Sequence, residues 1–246
     1  MEFTLPSQLR LRSPSASDQL VTTLRQLILE GTLAPGSPLP EVQMAEAFGT
    51  SRTTIRDAVR ELAHQGLVRL ERHRTARVVE MTVEDAADIY RLRRALELGA
   101  ADNVGALTAD EIERVNGALE RLRNAVNGGD WSQVVFADVE FHETIVSLHR
   151  SPRFLRCFQI IKSELAFCLA VIRMHEREDE QPERIVREHD DIRAAIVGGD
   201  VAEARALIAA HCSYYEERVT HALRAAGDRD GAPPADSSNG RGAARS

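Results

Sequence analysis

Aromatic residues are scarce in this sequence, making up only 4% of its 246 residues. Ala, Leu, Val, Ile and Arg dominate instead. That composition favours helices and argues against a sandwich or barrel built from many aromatic-rich strands. The sequence therefore predicts a mainly α-helical fold.

The sequence also lacks a disulfide framework and any membrane-spanning run. Its three cysteines, Cys157, Cys168 and Cys212, are an odd number without CxxC spacing. We expect free thiols in a reducing compartment. No apolar run approaches the roughly 20 residues that a membrane helix needs, and the N-terminus has no basic-then-apolar signal pattern. These absences predict a cytoplasmic protein.

Overall charge does not indicate a nucleic-acid-binding protein, because 31 basic residues face 38 acidic ones, a net charge of −7. The average hides a division along the chain. Residues 1–80 contain ten arginines against nine acidic residues, whereas residues 81–246 contain 21 basic against 29 acidic residues. The acidic excess thus belongs to the second part of the chain.

The first part of the chain begins with an irregular segment and continues with helical periodicity. Residues 1–17 show no periodicity and are expected to form a flexible arm. Apolar spacing then predicts helices at about 18–30, 41–48 and 52–65. Three prolines and a glycine in residues 32–40 predict an interruption without regular structure.

Residues 67–80 change to a strand-like pattern around a charged centre, which predicts a small two-stranded ribbon. Just before the third helix, Gly49 can supply a left-handed turn and Ser51 a helix cap. The order of these elements, which is helix, helix, turn, helix and ribbon, predicts a winged helix-turn-helix over residues 18–80.

The third helix has the properties of a DNA-recognition helix. Arg52 and Arg56 share an exposed face with Thr53, while Ile55 points inward. Arginine suits bidentate contact with guanine. A solvated helix face with a serine cap is the alternative, but residues 51–77 contain seven arginines and only three acidic residues. The predicted DNA-binding residues are Ser51, Arg52, Thr53, Thr54, Arg56, Arg72 and Arg74.

The second part of the chain shows no further strand pattern. Six helices are predicted at about 83–105, 108–127, 130–149, 151–174, 182–198 and 200–225. They form an antiparallel all-α bundle over residues 81–226 in this interpretation. Residues 227–246 have almost no large apolar side chain, and we expect a disordered tail there.

Histidine spacing in the bundle suggests a metal site. Asp138 and His142 are four residues apart on a helix, so both side chains lie on one face about a turn apart. Apolar neighbours place that face towards the interior, where a cation would remove the cost of an unpaired carboxylate. His189 and His211 lie in inward-facing apolar contexts on the last two helices. Each residue alone also fits an ordinary hydrogen bond or a satisfied core histidine.

Two N-terminal segments, residues 28–39 (ILEGTLAPGSPL) and 41–68 (EVQMAEAFGTSRTTIRDAVRELAHQGLV), resemble the DNA-binding domain of the GntR family of bacterial transcription regulators. The resemblance implies a helix-turn-helix dimer on a short palindromic operator, contacted at Arg52, Thr53 and Arg56. Val42 stands where some relatives carry a base-contacting arginine. The wing lacks the glycines of the usual RxGxGxFV pattern, so its DNA contacts are expected with less support than those of the helix.

The bundle resembles the FCD ligand-binding domain of the FadR branch of this family. The resemblance is carried by residues 92–97 (LRRALE), 138–145 (DVEFHETI), 151–155 (SPRFL), 188–192 (EHDDI) and 199–211 (GDVAEARALIAAH). It implies a divalent metal, Zn²⁺, Ni²⁺ or Mn²⁺, held by Asp138, His142, His189 and His211.

The same resemblance implies an effector site beside the metal. Open coordination positions on the ion would receive the carboxylate of a small organic acid. Arg93 falls where the family's first bundle helix often supplies an arginine to the effector pocket. Its alternative is an outward charge next to Arg94.

Together these expectations predict a ligand-responsive transcription regulator and not an enzyme. The regulator is expected to be a homodimeric repressor that loses affinity for double-stranded DNA when the acid binds. Two alternatives stay open at this point. One is a metal-dependent enzyme acting on a small carboxylate. The other is a DNA-binding scaffold with a structural metal and no effector response. Only Glu140 and Glu143 could serve as companion bases on the same helix, and both are expected to point away from Asp138 and His142.

Overall fold

The computed structural model of the protein describes residues 16–175 and 182–230 and is mainly helical, as predicted. The N-terminal elements are α1 (Ala16–Leu29), β1 (Pro38–Leu39), α2 (Glu41–Ala47), α3 (Arg52–His64), β2 (Val68–Arg69) and β3 (Ala76–Val78). We call this segment the winged-helix part. Of the predicted flexible arm 1–17, only the last two residues lie within the described ranges, and they begin α1.

The remaining elements form the helical bundle. They are α4 (Val83–Ala101), a 3₁₀ turn (Val104–Ala106), α5 (Ala109–Gly128), α6 (Trp131–Ser147), α7 (Pro152–His175), α8 (Pro182–Gly198) and α9 (Val201–Asp230). None of the helices in the described ranges is long and apolar enough to cross a membrane.

The turn between α2 and α3 has the predicted local structure. Gly49 adopts a left-handed conformation with a φ of 61°. Ser51 caps α3, because its Oγ accepts a hydrogen bond of 3.1 Å from the backbone N–H of Thr54. On the inner face of α3, Ile55 and Val59 are buried. Local sequence therefore fixes both the turn and the rotation of the helix that follows it.

The prediction that residues 32–40 have no regular structure is wrong for residues 38 and 39. Pro38 and Leu39 form β1, which pairs antiparallel with Arg77 and Ala76 of β3. The sheet therefore has three strands in the order β1-β3-β2 instead of the predicted two. A proline has no N–H to donate, but an edge strand tolerates it. Leu39 gains burial from this pairing.

The bundle helices begin at side-chain caps. Thr82 and Asp85 form a reciprocal capping box at the start of α4, and Thr108 and Glu111 form another at the start of α5. Asp130 accepts a hydrogen bond from the Ser132 N–H at the start of α6. These caps satisfy N–H groups that have no partner within their own helices. They also fix where each helix begins and thus which side chains face inward.

The last helix is longer than predicted. α9 continues to Asp230, whereas the sequence pattern ends the helix at about 225 and begins a disordered tail at residue 227. Extending a formed helix adds one hydrogen bond for each residue fixed, so a polar stretch can continue without tertiary contacts. The rest of the predicted tail lies outside the described residues.

Candidate functional site

Four predicted ligands converge in the interior of the bundle. Asp138 and His142 lie on α6, His189 on α8 and His211 on α9. Each residue is at most 5% exposed, and their candidate ligand atoms all lie within 4.8 Å of one another. Three helices thus bring all four side chains to one point.

The shortest contacts in this group join atoms that can all act as metal ligands. Nε2 of His142 lies 3.2 Å from Nε2 of His189, which in turn lies 3.0 Å from Oδ1 of Asp138. The His211 ring stacks on the His142 ring with a centroid distance of 4.9 Å. The four side chains therefore enclose a small space lined with imidazole and carboxylate groups.

Hydrogen bonds behind the first two rings decide which of their nitrogens carry protons. Nδ1 of His189 lies 2.8 Å from the carbonyl oxygen of Ile185, which can only accept. Nδ1 of His142 lies 2.8 Å from Oε2 of Glu97. Burial raises the pKa of Glu97, but the Arg93 charge and the hydrogen bonds from His142 and Arg93 outweigh this effect and lower it, so this carboxylate also accepts. Each Nδ1 therefore donates a hydrogen bond to the group behind it, which leaves the Nε2 atoms of both rings turned towards the four-residue group.

The two facing Nε2 atoms test whether a metal fits here. Burial lowers the pKa of His142, which keeps its ring neutral. Nε2 of His142 and Nε2 of His189 lie 3.2 Å apart beside the Asp138 carboxylate, so a divalent cation at this point could take all three atoms as ligands. Second hydrogen bonds from ligating histidines to a carboxylate or a carbonyl are typical of metal sites. The residues present fit a metal.

His211 gives the same indication independently. Both of its ring nitrogens are buried and have no hydrogen-bond partner among the described residues, with Nδ1 3.5 Å from Oε2 of Glu188. Burial lowers the pKa of His211 to about 3, so the ring is neutral. A buried imidazole without a partner is costly, and coordination of a cation would satisfy it.

Arg93 lies inside the bundle and is not an outward charge. It is 2% exposed, and its Nε donates a hydrogen bond of 2.7 Å to Oε1 of Glu97. The neighbouring Arg94 is the partly exposed one and pairs with Glu216. Because Glu97 also binds His142, a buried chain of contacts links Arg93 to the four-residue group. Nη2 of Arg93 has no hydrogen-bond partner among the described residues.

Glu97 is the functional residue that sequence reasoning missed. It lies four residues after Arg93, a spacing that puts both side chains on one helix face, and this signal was available in the sequence. Glu140 and Glu143 do point away, as predicted, and pair with Arg121 and Lys162 on the outside of the bundle. The described residues therefore supply no general base from α6 to the four-residue group.

The predicted DNA-binding residues of α3 lie on its outer face. Arg52 and Thr53 are exposed. Arg56 is also exposed, and it makes a two-point ion pair with Glu41 of α2, in which Nη2 lies 2.7 Å from Oε2. Ser51 and Thr54 hold each other at the helix start through their hydroxyls. The structure thus gathers five of the seven predicted residues at one end of α3.

Arg72 and Arg74 lie apart from α3, in the turn between β2 and β3. Both are exposed, and Arg74 pairs with Glu71. His73 between them has a φ of 63°, the left-handed conformation that glycine usually adopts. The wing therefore keeps a tight tip without the family's glycines.

Comparison with known proteins assigns both parts of the chain. The family model of bacterial regulatory proteins, gntR family, matches residues 16–78, and the FCD domain model matches residues 88–214. The gluconate operon transcriptional repressor of Bacillus licheniformis is 30% identical over 183 residues, which cover 73% of this chain and 75% of that protein.

Two further matches are also to transcription regulators. The galactonate operon transcriptional repressor of Escherichia coli K12 is 28% identical over 157 residues, covering 55% of this chain and 68% of that protein. The crystal structure of a transcriptional regulator GntR from Rhodococcus sp. RHA1 aligns with a TM-score of 0.69 and 26% identity. The alignment covers 83% of this chain and 97% of that one.

Proposed function

Because this chain belongs to the GntR family of bacterial regulatory proteins and carries an FCD domain, we propose that it senses a small organic acid at a metal site in its bundle. It is a transcriptional regulator with repressors among its relatives, and not an enzyme. Acid binding lowers its affinity for DNA in this proposal. The observation that carries it is the pair of facing Nε2 atoms of His142 and His189, 3.2 Å apart in the bundle interior.

The metal is held by Asp138, His142, His189 and His211, and Zn²⁺, Ni²⁺ and Mn²⁺ all suit three imidazoles and one carboxylate. When bound, the ion offers open coordination positions to a carboxylate. Glu97 and the Ile185 carbonyl orient two of the rings from behind. The charge of Arg93 is paired with Glu97, so Arg93 contributes to the binding of an acid through its Nη2, a buried donor without a hydrogen-bond partner among the described residues.

A small cavity lies beside the first turns of α6 and α8. It has a volume of about 130 Å³ and is lined by Val134 and Ile185, among others. Val134 precedes Asp138 by one helical turn, and Ile185 precedes His189 by one turn. The cavity therefore lies about one helical turn from two of the proposed ligands, and we propose it as the outer end of an entry path for a compact acid.

The bundle interior is connected to the winged-helix part by short paths. Arg93 lies on α4, which begins at Val83, only a few residues after β3 ends. Met81, in that connection, contacts the buried Cys168 of α7, with 3.3 Å between the two sulfur atoms. An acid that repositions α4 would therefore shift the connection, and this would change the population of DNA-competent dimers.

The test is operator binding measured by fluorescence anisotropy on DNA from upstream of the gene, with metal-loaded protein. A panel containing D-gluconate, D-galactonate, L-lactate and succinate is expected to include an acid that weakens binding about 5–150-fold, the usual range of allosteric coupling. The effect should disappear when EDTA removes the metal. If none of the acids changes the DNA affinity of the metal-loaded protein, the result supports the alternative of a scaffold with a structural metal.

DNA recognition is proposed to come from the outer face of α3, through Ser51, Arg52, Thr53, Thr54 and Arg56, with Arg72 and Arg74 gripping the backbone from the wing. Two chains would bind one palindromic operator, since a single recognition helix contacts too few base pairs and a two-fold site requires a two-fold protein. We propose residues 18–80, the winged-helix part, as the DNA-binding domain. Residues 81–226, the bundle, are proposed as the effector-binding domain.

Substitution of Arg56 should weaken operator binding in the same assay. Arg56→Ala is expected to lower affinity by about 1–3 kcal/mol, because a bidentate arginine–guanine contact is worth that much. Glu41→Gln, which removes the ion-pair partner, is expected to leave affinity unchanged or raise it. Arg91→Ala, an exposed arginine on α4, is the control. Equal affinities for Arg56→Ala and the control would exclude Arg56 from the interface.

A further inference from the structure

The buried face of α4 carries a second polar group that the site as described does not use. Tyr90 is fully buried, and its hydroxyl has no hydrogen-bond partner among the residues that the structure describes. It precedes Arg93 by three residues, so both side chains lie on the same helix face. The Arg93 Cζ lies 5.4 Å from the centroid of the Tyr90 ring. Two unpartnered polar groups thus sit together inside the bundle.

Among the described residues, nothing replaces the hydrogen bonds that the Tyr90 hydroxyl makes to water in the unfolded chain. A buried hydroxyl without a partner loses its hydrogen bonds to water and gains none in return. Phenylalanine would fill the same volume without that loss. A hydroxyl kept under these conditions is typical of a group whose partner arrives with a ligand, since functional sites often retain features that destabilise the free protein.

A ligand whose carboxylate is bound to the metal can carry a second oxygen group elsewhere. Tyr90 and Arg93 together can recognise that second group. Burial raises the pKa of Tyr90 well above its usual range, so the phenol stays neutral and can both donate and accept. Arginine Nη2 can only donate. A ligand hydroxyl has both capacities, since it can accept from Nη2 of Arg93 and donate to the Tyr90 oxygen.

We propose that Tyr90 is a specificity-determining residue of the effector site and that the effector is a hydroxy acid. This inference rests on the proposed function. Its carboxylate occupies the metal site, and a hydroxyl on a nearby carbon binds Tyr90 and Arg93. A deoxy acid of the same length leaves both protein groups unsatisfied and binds more weakly. Sites built to hydrogen-bond a substrate hydroxyl reject analogues that lack it for this reason.

Tyr90→Phe tests the proposal by deleting one oxygen atom. Calorimetric titrations of metal-loaded protein compare D-gluconate with hexanoate and L-lactate with propionate, two pairs that differ in hydroxyl groups. Wild-type protein should prefer at least one hydroxy acid by about tenfold or more, and Tyr90→Phe should lose most of that preference. Metal content should stay unchanged. The unfolding midpoint of the ligand-free variant should rise by about 2–4 °C as the unsatisfied hydroxyl disappears. Tyr214→Phe, a half-buried tyrosine on α9, is the matched control.

The outcomes separate this inference from the function on which it rests. Tyr90→Phe protein that keeps the wild-type preference for hydroxy acids overturns the role of Tyr90 while acid sensing stands. A lowered unfolding midpoint overturns it too, since the hydroxyl would then have a stabilising partner. Wild-type protein that binds none of the four acids, although loaded with metal, overturns the proposed function together with this inference.

Discussion

Replacing His189 by alanine is expected to reduce the bound divalent metal from about one ion per chain to none. His189 faces both His142 and Asp138 and therefore stands at the centre of the group. Metal that binds only the folded protein stabilises it by about 4 kcal/mol when its free concentration is a thousand times the dissociation constant. Elemental analysis of tag-free protein and thermal unfolding with and without Zn²⁺ measure the two effects.

The control is His221→Ala, an exposed histidine further along α9. It should keep the full metal content and the full stabilisation by Zn²⁺. The His189→Ala variant also loses packing, so its own unfolding midpoint is less informative than its response to added metal. A midpoint that rises with Zn²⁺ as much in His189→Ala as in the wild type would contradict the assignment of the site.

Replacing Arg93 by leucine is expected to destabilise the metal-free protein by about 3–5 kcal/mol, because the buried Glu97 carboxylate loses its cationic partner and keeps its hydrogen bond to the His142 ring. Both side chains of this ion pair are almost fully buried. Urea-induced unfolding in EDTA measures the free energy of unfolding without any contribution from metal.

Arg91→Leu is the matched comparison, two residues away on the same helix. Arg91 pairs with Asp88 at a similar distance, but about three quarters of each side chain is exposed, and such a pair contributes about 0–1 kcal/mol. Adding Glu97→Gln to Arg93→Leu should restore part of the lost stability by removing the unpaired charge. If Arg93→Leu and Arg91→Leu cost the same, the buried ion pair does not form in solution.

Much of the fold could be predicted because its signals are local. The α6 helix, for example, is predicted at about 130–149 and found at Trp131–Ser147, since Asp130 caps its start and its apolar spacing is regular. β1 could not be predicted, because a strand of two residues exists only through pairing with β3, nearly forty residues away. Its sequence contains no strand signal of its own.

The candidate site divides in the same way. The four proposed ligands follow from spacing and resemblance, but the partners behind them depend on how each helix is rotated. Arg93 and Arg94 are adjacent and chemically identical, yet the first is buried and the second is partly exposed. The Arg56–Glu41 ion pair likewise depends on the angle between α2 and α3. Packing of whole helices decides these contacts, and no single segment encodes it.

One hydrophobic cluster runs through both parts of the molecule. It joins Leu24 of α1 and Leu62 of α3 to Phe167 of α7 and Val219 of α9. The other two clusters in the described residues contain nothing from the winged-helix part. Because this cluster is continuous, we expect an unfolding event that disrupts its bundle half to expose its winged-helix half as well. Cellular proteases act on the unfolded fraction of a protein. Stabilisation of the bundle residues in this cluster is therefore expected to protect the DNA-binding surface from degradation, which would couple the lifetime of the regulator to the stability of its bundle.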